Sequence, residues 1–98
     1  MTAPLKITKG SGNVFRDLGF PEGKAQNLLL RTDLMIKIEQ LIKKSGLIQS
    51  EAAKVLGITQ PRINDLLKGR IEKFSLDALV NMVARAGMEV KMTVKKTS

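Results

Sequence analysis

Residues 49–64 read QSEAAKVLGITQPRIN. Gly57 and Pro61 sit inside the most regular stretch of the chain, and either would interrupt a single helix. The stretch is therefore read as two short helices, 48–56 and 59–68, joined by a fixed turn. Ala52, Ala53 and Leu56 share one face of the first helix; Ile63, Leu66 and Leu67 share one face of the second. Ala53 is small where the two backbones would cross. Gly57 follows four residues later, where the chain reverses; a left-handed residue with a Cβ costs about 1 kcal/mol or more there. Ile58 anchors the turn inward and Thr59 caps the second helix. Ile58 and Ile63 stand five apart across that cap, the spacing of a hydrophobic staple. Pro61 lies in the first turn, where a missing N–H removes no intrahelical bond.

A small residue, then glycine, then an apolar anchor and a Thr-capped helix make up the helix-turn-helix pattern. The remaining chain fits around it. From about Ala25 to Ser45, Leu30, Leu34, Ile38 and Leu41 recur at helical steps, widened by Met35 and Ile42. Gly46 ends that helix, with Lys43 and Lys44 placed against the negative end of its dipole. Thr32-Asp33 offers a cap at which the helix could restart. A last helix runs over 75–86, with Ser75 as N-cap, Phe74 and Leu79 as a staple, and Leu76, Leu79, Val80 and Val83 as the buried face. Residues 1–23 are rich in glycine and proline and read as irregular, apart from a short strand option at Leu5–Thr8. Val14, Phe15, Leu18 and Phe20 are expected to cover the core or to grip a partner. Residues 88–98 switch to period two, Met88, Val90, Met92 and Val94 against Glu89, Lys91, Thr93 and Lys95, and predict a short C-terminal β-strand. One strand needs a mate. The options are Leu5–Thr8, the same strand of a second copy, or another protein.

Composition narrows the function. The 98 residues suit one domain. Lys plus Arg number 17 against 9 acidic residues, a net charge of +8, which makes nucleic acid the leading partner and an anionic membrane a weaker one. The chain has no Cys and no His. Disulfides, thiol nucleophiles, histidine bases and zinc fingers are excluded. Scattered carboxylates and the lack of a phosphate-cradling glycine loop argue against an enzyme, and no metal or cofactor is expected. No apolar run approaches the ~20 residues of a membrane span, and MTAPLKITKG lacks a signal-peptide core. A soluble, intracellular protein is the expectation.

The stretch QSEAAKVLGITQPRINDLLKGR resembles the Xre/Cro family of bacterial and phage regulators through Gln49, Ala53, Gly57, Ile58, Thr59, Gln60, Ile63, Leu66 and Gly69. The flanks NVFRDLGFPEGKAQNLLLRTDLM and FSLDALVNMVARAGMEVKMTV are similar to those of a subgroup that includes HigA-like antitoxins. Ile48 departs from the family, which usually has Thr or Ser in that capping slot. The resemblance implies a mainly α, lambda-repressor-like bundle of four to five helices, with the helix-turn-helix DNA-binding domain over 24–87. It implies a dimeric repressor, often encoded beside a HigB/RelE-type toxin. A prophage-type or host regulator without a toxin is the alternative, and an interaction module that no longer binds DNA is a third reading.

For double-stranded DNA the expected readers lie on the outer side of the second motif helix. Gln60 matches the donor and acceptor of adenine, Pro61 a thymine methyl, and Arg62 guanine or a phosphate. Asn64 and Asp65 lie one turn deeper. Asp65 can accept from cytosine, hold Arg62, or be an ordinary surface charge. Phosphate contacts are assigned to Gln49, Lys54, Thr59, Lys68 and Arg70, while Lys91, Lys95 and Lys96 read as a solvated strand face. A single unit reads few base pairs, so a homodimer on a palindromic operator is expected, with half-sites about 34–36 Å apart.

Overall fold

Left-handed glycines divide the chain into helices. In the computed structural model, which describes residues 13–96, these are α1 (Val14–Asp17), α2 (Glu22–Ser45), α3 (Gln49–Leu56), α4 (Gln60–Leu67) and α5 (Leu76–Arg85), with a 3₁₀ turn at Ile71–Lys73 before the last. Gly46 (φ 75°) and Gly57 (φ 73°) terminate α2 and α3.

The long helix α2 starts three residues earlier than its periodicity suggests. Pro21 precedes it, and Glu22 in its first turn suits the positive end of the dipole. Hydrogen bonds from Arg16 and then Gln26 hold the Glu22 carboxyl below the usual range. The helix does not break at Thr32-Asp33. The Thr32 hydroxyl donates to the Leu28 carbonyl at 2.9 Å, one turn back, and is spent inside the helix rather than capping a new one.

The core is built from Met35, Ile38 and Ile42 of α2, Ala52, Ala53 and Leu56 of α3, Ile63 and Leu66 of α4, Phe74, and Leu79, Met82 and Val83 of α5. This corrects the leucine stripe. Met35, Ile38 and Ile42 go inward as expected, but Leu30 is exposed and Leu34 and Leu41 are half-buried, while Ala25 and Leu28 are buried as well. Apolar residues cover two adjacent faces of α2, and periodicity alone does not say which face meets the core. Likewise Met82 replaces Val80 on the buried face of α5. Phe74 and Leu79 are fully buried on either side of the Ser75 cap, whose hydroxyl accepts from Ala78 N–H at 3.1 Å.

At the N-terminal end, part of the stretch read as irregular is α1. The buried Asn13 accepts from the N–H groups of Phe15 and Arg16 and donates Nδ2 to the Ala25 carbonyl at 3.2 Å, tying α1 to α2. The rings of Phe15 and Phe20 meet edge to face, 6.1 Å apart. Val14, Leu18 and Phe20 are exposed and none of the four joins the core, so the expected cover is not formed; the tether at Ala25 sets α1 beside the start of α2.

The C-terminal strand is also corrected. Residues 88–96 form neither helix nor strand, and no strand occurs among the described residues. A ladder needs a neighbouring segment to complete it. Leu5–Thr8, the mate available within the chain, lies outside the described residues.

Candidate nucleic-acid interface

The turn between α3 and α4 is built from its backbone outward. Ile48 occupies the N-cap of α3 in an extended conformation (φ −76°, ψ 166°). Its hydrocarbon side chain accepts nothing, but its N–H donates to Glu51 Oε1 at 3.1 Å, one half of a capping box. At the other end, the left-handed Gly57 lets Ile58 N–H reach the Ala53 carbonyl at 3.0 Å, closing α3. Ile58 is half-buried against the core. The side chain of Arg85, from the last turn of α5, lies directly over Gly57, in the space a Cβ would enter.

Thr59 holds the N-cap position of α4, but its hydroxyl makes no capping bond, unlike the expectation. The reason lies two residues on. Pro61 has no N–H to offer the cap, and the next donor, Arg62 N–H, goes to the Thr59 carbonyl at 3.1 Å. Residue Thr59 is exposed, and among the described residues its hydroxyl makes no hydrogen bond.

On α4, Ile63 and Leu66 are buried and Leu67 is half-buried. The opposite face carries Gln60, Pro61, Asn64 and Lys68, all exposed. The helical repeat of 100° per residue gathers these four on one side. Two predicted readers are engaged elsewhere. The Arg62 guanidinium lies over the Phe74 ring, 4.5 Å from its centroid, a cation–π arrangement on the flank of the helix. Asp65 does not hold Arg62; it pairs with Arg70 at 3.5 Å. Arg70 follows the left-handed Gly69, which turns the chain back so that Arg70 N–H also reaches the Asp65 carbonyl. Gln49 and Lys54 on α3 are exposed.

Phe74 and Arg85 were missed as contributors to this face. The signal for Phe74 was present, since it was read as half of a staple, but its second role as the platform for Arg62 depends on the 3₁₀ turn bringing it under α4. Nothing local in the sequence places Arg85 over Gly57.

A family model described as a helix-turn-helix domain matches residues 14–95. A solved structure described as an XRE-family transcriptional regulator is similar, with a TM-score of 0.69 and 26% identity over 74% of this chain and 82% of that one. No curated protein matches.

Proposed function

The chain belongs to this helix-turn-helix domain family, and on that premise we propose that it is a DNA-binding transcriptional regulator of the Xre type, acting as a sequence-specific repressor. The observation that carries the reading is the division of α4. Ile63 and Leu66 lock one face into the core, and Gln60, Pro61, Asn64 and Lys68 stand free on the other.

In the proposed complex the outer face of α4 enters the major groove with its N-terminal end towards the base edges. Gln60 reads adenine, Pro61 contacts a thymine methyl, and Asn64 reads one turn deeper. Arg62 and Asp65 remain proposed base contacts, each leaving its intramolecular partner to make them. Phosphates are taken by Gln49, Lys54, Thr59, Lys68 and Arg70. The free Thr59 hydroxyl supports its place among them. Two copies on a palindrome complete the reader.

The finer reading is that the repressor is also an antitoxin that autoregulates its operon and binds a HigB/RelE-like toxin. The similarity of its flanks to HigA-like proteins supports this, as do the exposed Val14, Leu18 and Phe20 at the α1 end, remote in sequence from α4. A neighbouring gene that encodes no toxin would leave the regulator reading alone.

The test is a footprint and titration on the DNA upstream of the chain's own gene. Gln60→Ala should weaken binding to that site by about 1–3 kcal/mol, with folding unchanged. Equal affinity of wild type and variant would remove Gln60 from base reading. For the toxin, Phe20→Ser should abolish neutralisation while operator binding persists.

A further inference from the structure

Arg62 rests on an aromatic ring that is held too firmly to follow it. The residue is half-buried, and its guanidinium lies 4.5 Å from the centre of the Phe74 ring. No carboxylate of the described residues pairs with it, and Asp65, three residues on, is paired with Arg70. Phe74 is 1% exposed, and its N–H donates to the Ile71 carbonyl at 3.1 Å. Arg31 of α2 clamps the same 3₁₀ turn. One of its nitrogens donates to the Phe74 carbonyl at 3.1 Å and to the Ile71 carbonyl at 3.4 Å.

The ring also draws Arg62 away from the outer face of its helix. At 100° per residue, Arg62 stands about 160° around α4 from both Gln60 and Asn64. To reach a base edge beside them, the guanidinium must swing off Phe74, and the braced ring stays behind. The two contacts therefore exclude each other. We propose that Phe74 is a specificity-determining residue that acts through Arg62: its ring competes with guanine for the guanidinium, and so sets how strongly the chain prefers guanine at one operator position. The proposal deepens the DNA reading above and rests on it.

The magnitudes permit such a competition. A cation–π contact near the surface favours the ring over solvent by about two- to fivefold. A bidentate arginine–guanine pair discriminates by about 5- to 150-fold. Guanine wins, but its advantage is reduced by the ring contact that must be broken. Where the base pair offers no such acceptors, Arg62 keeps the ring on binding and nothing is lost. The ring thus lowers affinity for the guanine-bearing site, leaves other duplexes nearly unaffected, and narrows the margin between them.

The test replaces Phe74 alone, in the full chain, by phenylalanines carrying one to five fluorines. The series keeps the shape of the ring while stepwise removing the negative charge from its face. Selection from a randomised duplex library first gives the site that the wild type prefers. Arg62→Ala should lose a guanine preference at one position of each half-site. Fluorination should then tighten binding to the selected site in step with fluorine number, reaching about two- to fivefold per half-site, while duplex lacking that guanine changes by less than about twofold. In the Arg62→Ala background the fluorinated rings should have no effect. A ring that only packs the core predicts the opposite sign, with binding to every duplex unchanged or weaker. Binding to the selected site that does not tighten, a gain that survives Arg62→Ala, or a guanine preference that Arg62→Ala leaves intact would each overturn the proposal. A wild type that selects no sequence would remove the DNA reading itself, whereas a selected sequence indifferent to fluorination would remove this proposal alone.

Discussion

At Gly57 two constraints coincide: a φ of 73° and an arginine side chain lying where a Cβ would go. They differ in how readily they relax. Arg85 is exposed and has several rotatable bonds, so it can move aside, while the left-handed backbone cannot. Gly57→Ala should therefore lower unfolding stability in urea by about 1–2 kcal/mol, the left-handed penalty of an L-residue. Arg85→Ala in that background should recover only a minor part of the loss; full recovery would mean that crowding, not backbone strain, selects glycine. Asp33 is a second residue whose setting opposes it. Its buried Oδ1 has no hydrogen-bond partner among the described residues, and burial pushes its carboxyl above the usual aspartate range, with Lys37 one turn on pulling the other way. A raised acid binds its proton more readily folded than unfolded. Between the unfolded and folded values the native state holds more protons, so this group's contribution falls as pH rises through that window and is unfavourable above it. Asp33→Asn should raise the melting temperature at pH 7 and leave it nearly unchanged near pH 3. An equal shift at both would assign the effect to packing instead of charge.

Among the elements, α3 and α4 were legible because each breaker between them has a single workable position. A glycine that must be left-handed, a cap position and a proline that must sit in a first turn leave one arrangement. The residues that α4 exposes followed from the same wheel. The face of α2 was legible only in part: Met35, Ile38 and Ile42 go inward as expected, but Leu30, Leu34 and Leu41 are equally apolar, and the neighbours that decide among them come from α3, α4 and α5. Nor were the partners of Arg62 and Asp65, because Phe74 and Arg70 reach them only through the turn at Gly69 and the 3₁₀ segment after it. The C-terminal segment showed its alternation, but alternation does not supply a mate. The start of α3 yields a prediction of its own. Ile48 already has the extended N-cap backbone, its side chain is 63% exposed, and Glu51 supplies the reciprocal half of the box. Only the side-chain acceptor is lacking. Ile48→Thr should stabilise the protein by about 1 kcal/mol in urea, in keeping with the cost of losing such a cap elsewhere. No gain would indicate that Ile48 contributes by packing against a neighbour.

For the whole molecule, the +8 charge and the outer face of α4 make separable contributions to DNA binding. Six basic residues against two acidic lie between Lys43 and Arg70, so half the net charge falls in 28 residues and the rest is spread along the chain. Attraction to phosphate is then a property of much of the surface, while in the proposed complex sequence is read by a few side chains on one helix. The two respond differently to salt. Each phosphate neutralised releases counterions and adds ~0.9 to the slope of log affinity against log salt. Lys68 is exposed at the C-cap of α4, with no carboxylate of the described residues within ion-pair distance, and can make such a contact. Titrations of Lys68→Ala between about 50 and 200 mM salt should show a slope shallower by about 0.9 per protomer, with the same proportional loss on operator and unrelated duplex. Gln60→Ala should do the reverse, keeping the slope and losing affinity on the operator alone. If the Lys68→Ala loss were confined to the operator with the slope intact, Lys68 would join the base readers, and the reading face would extend a full two turns along α4 from Gln60.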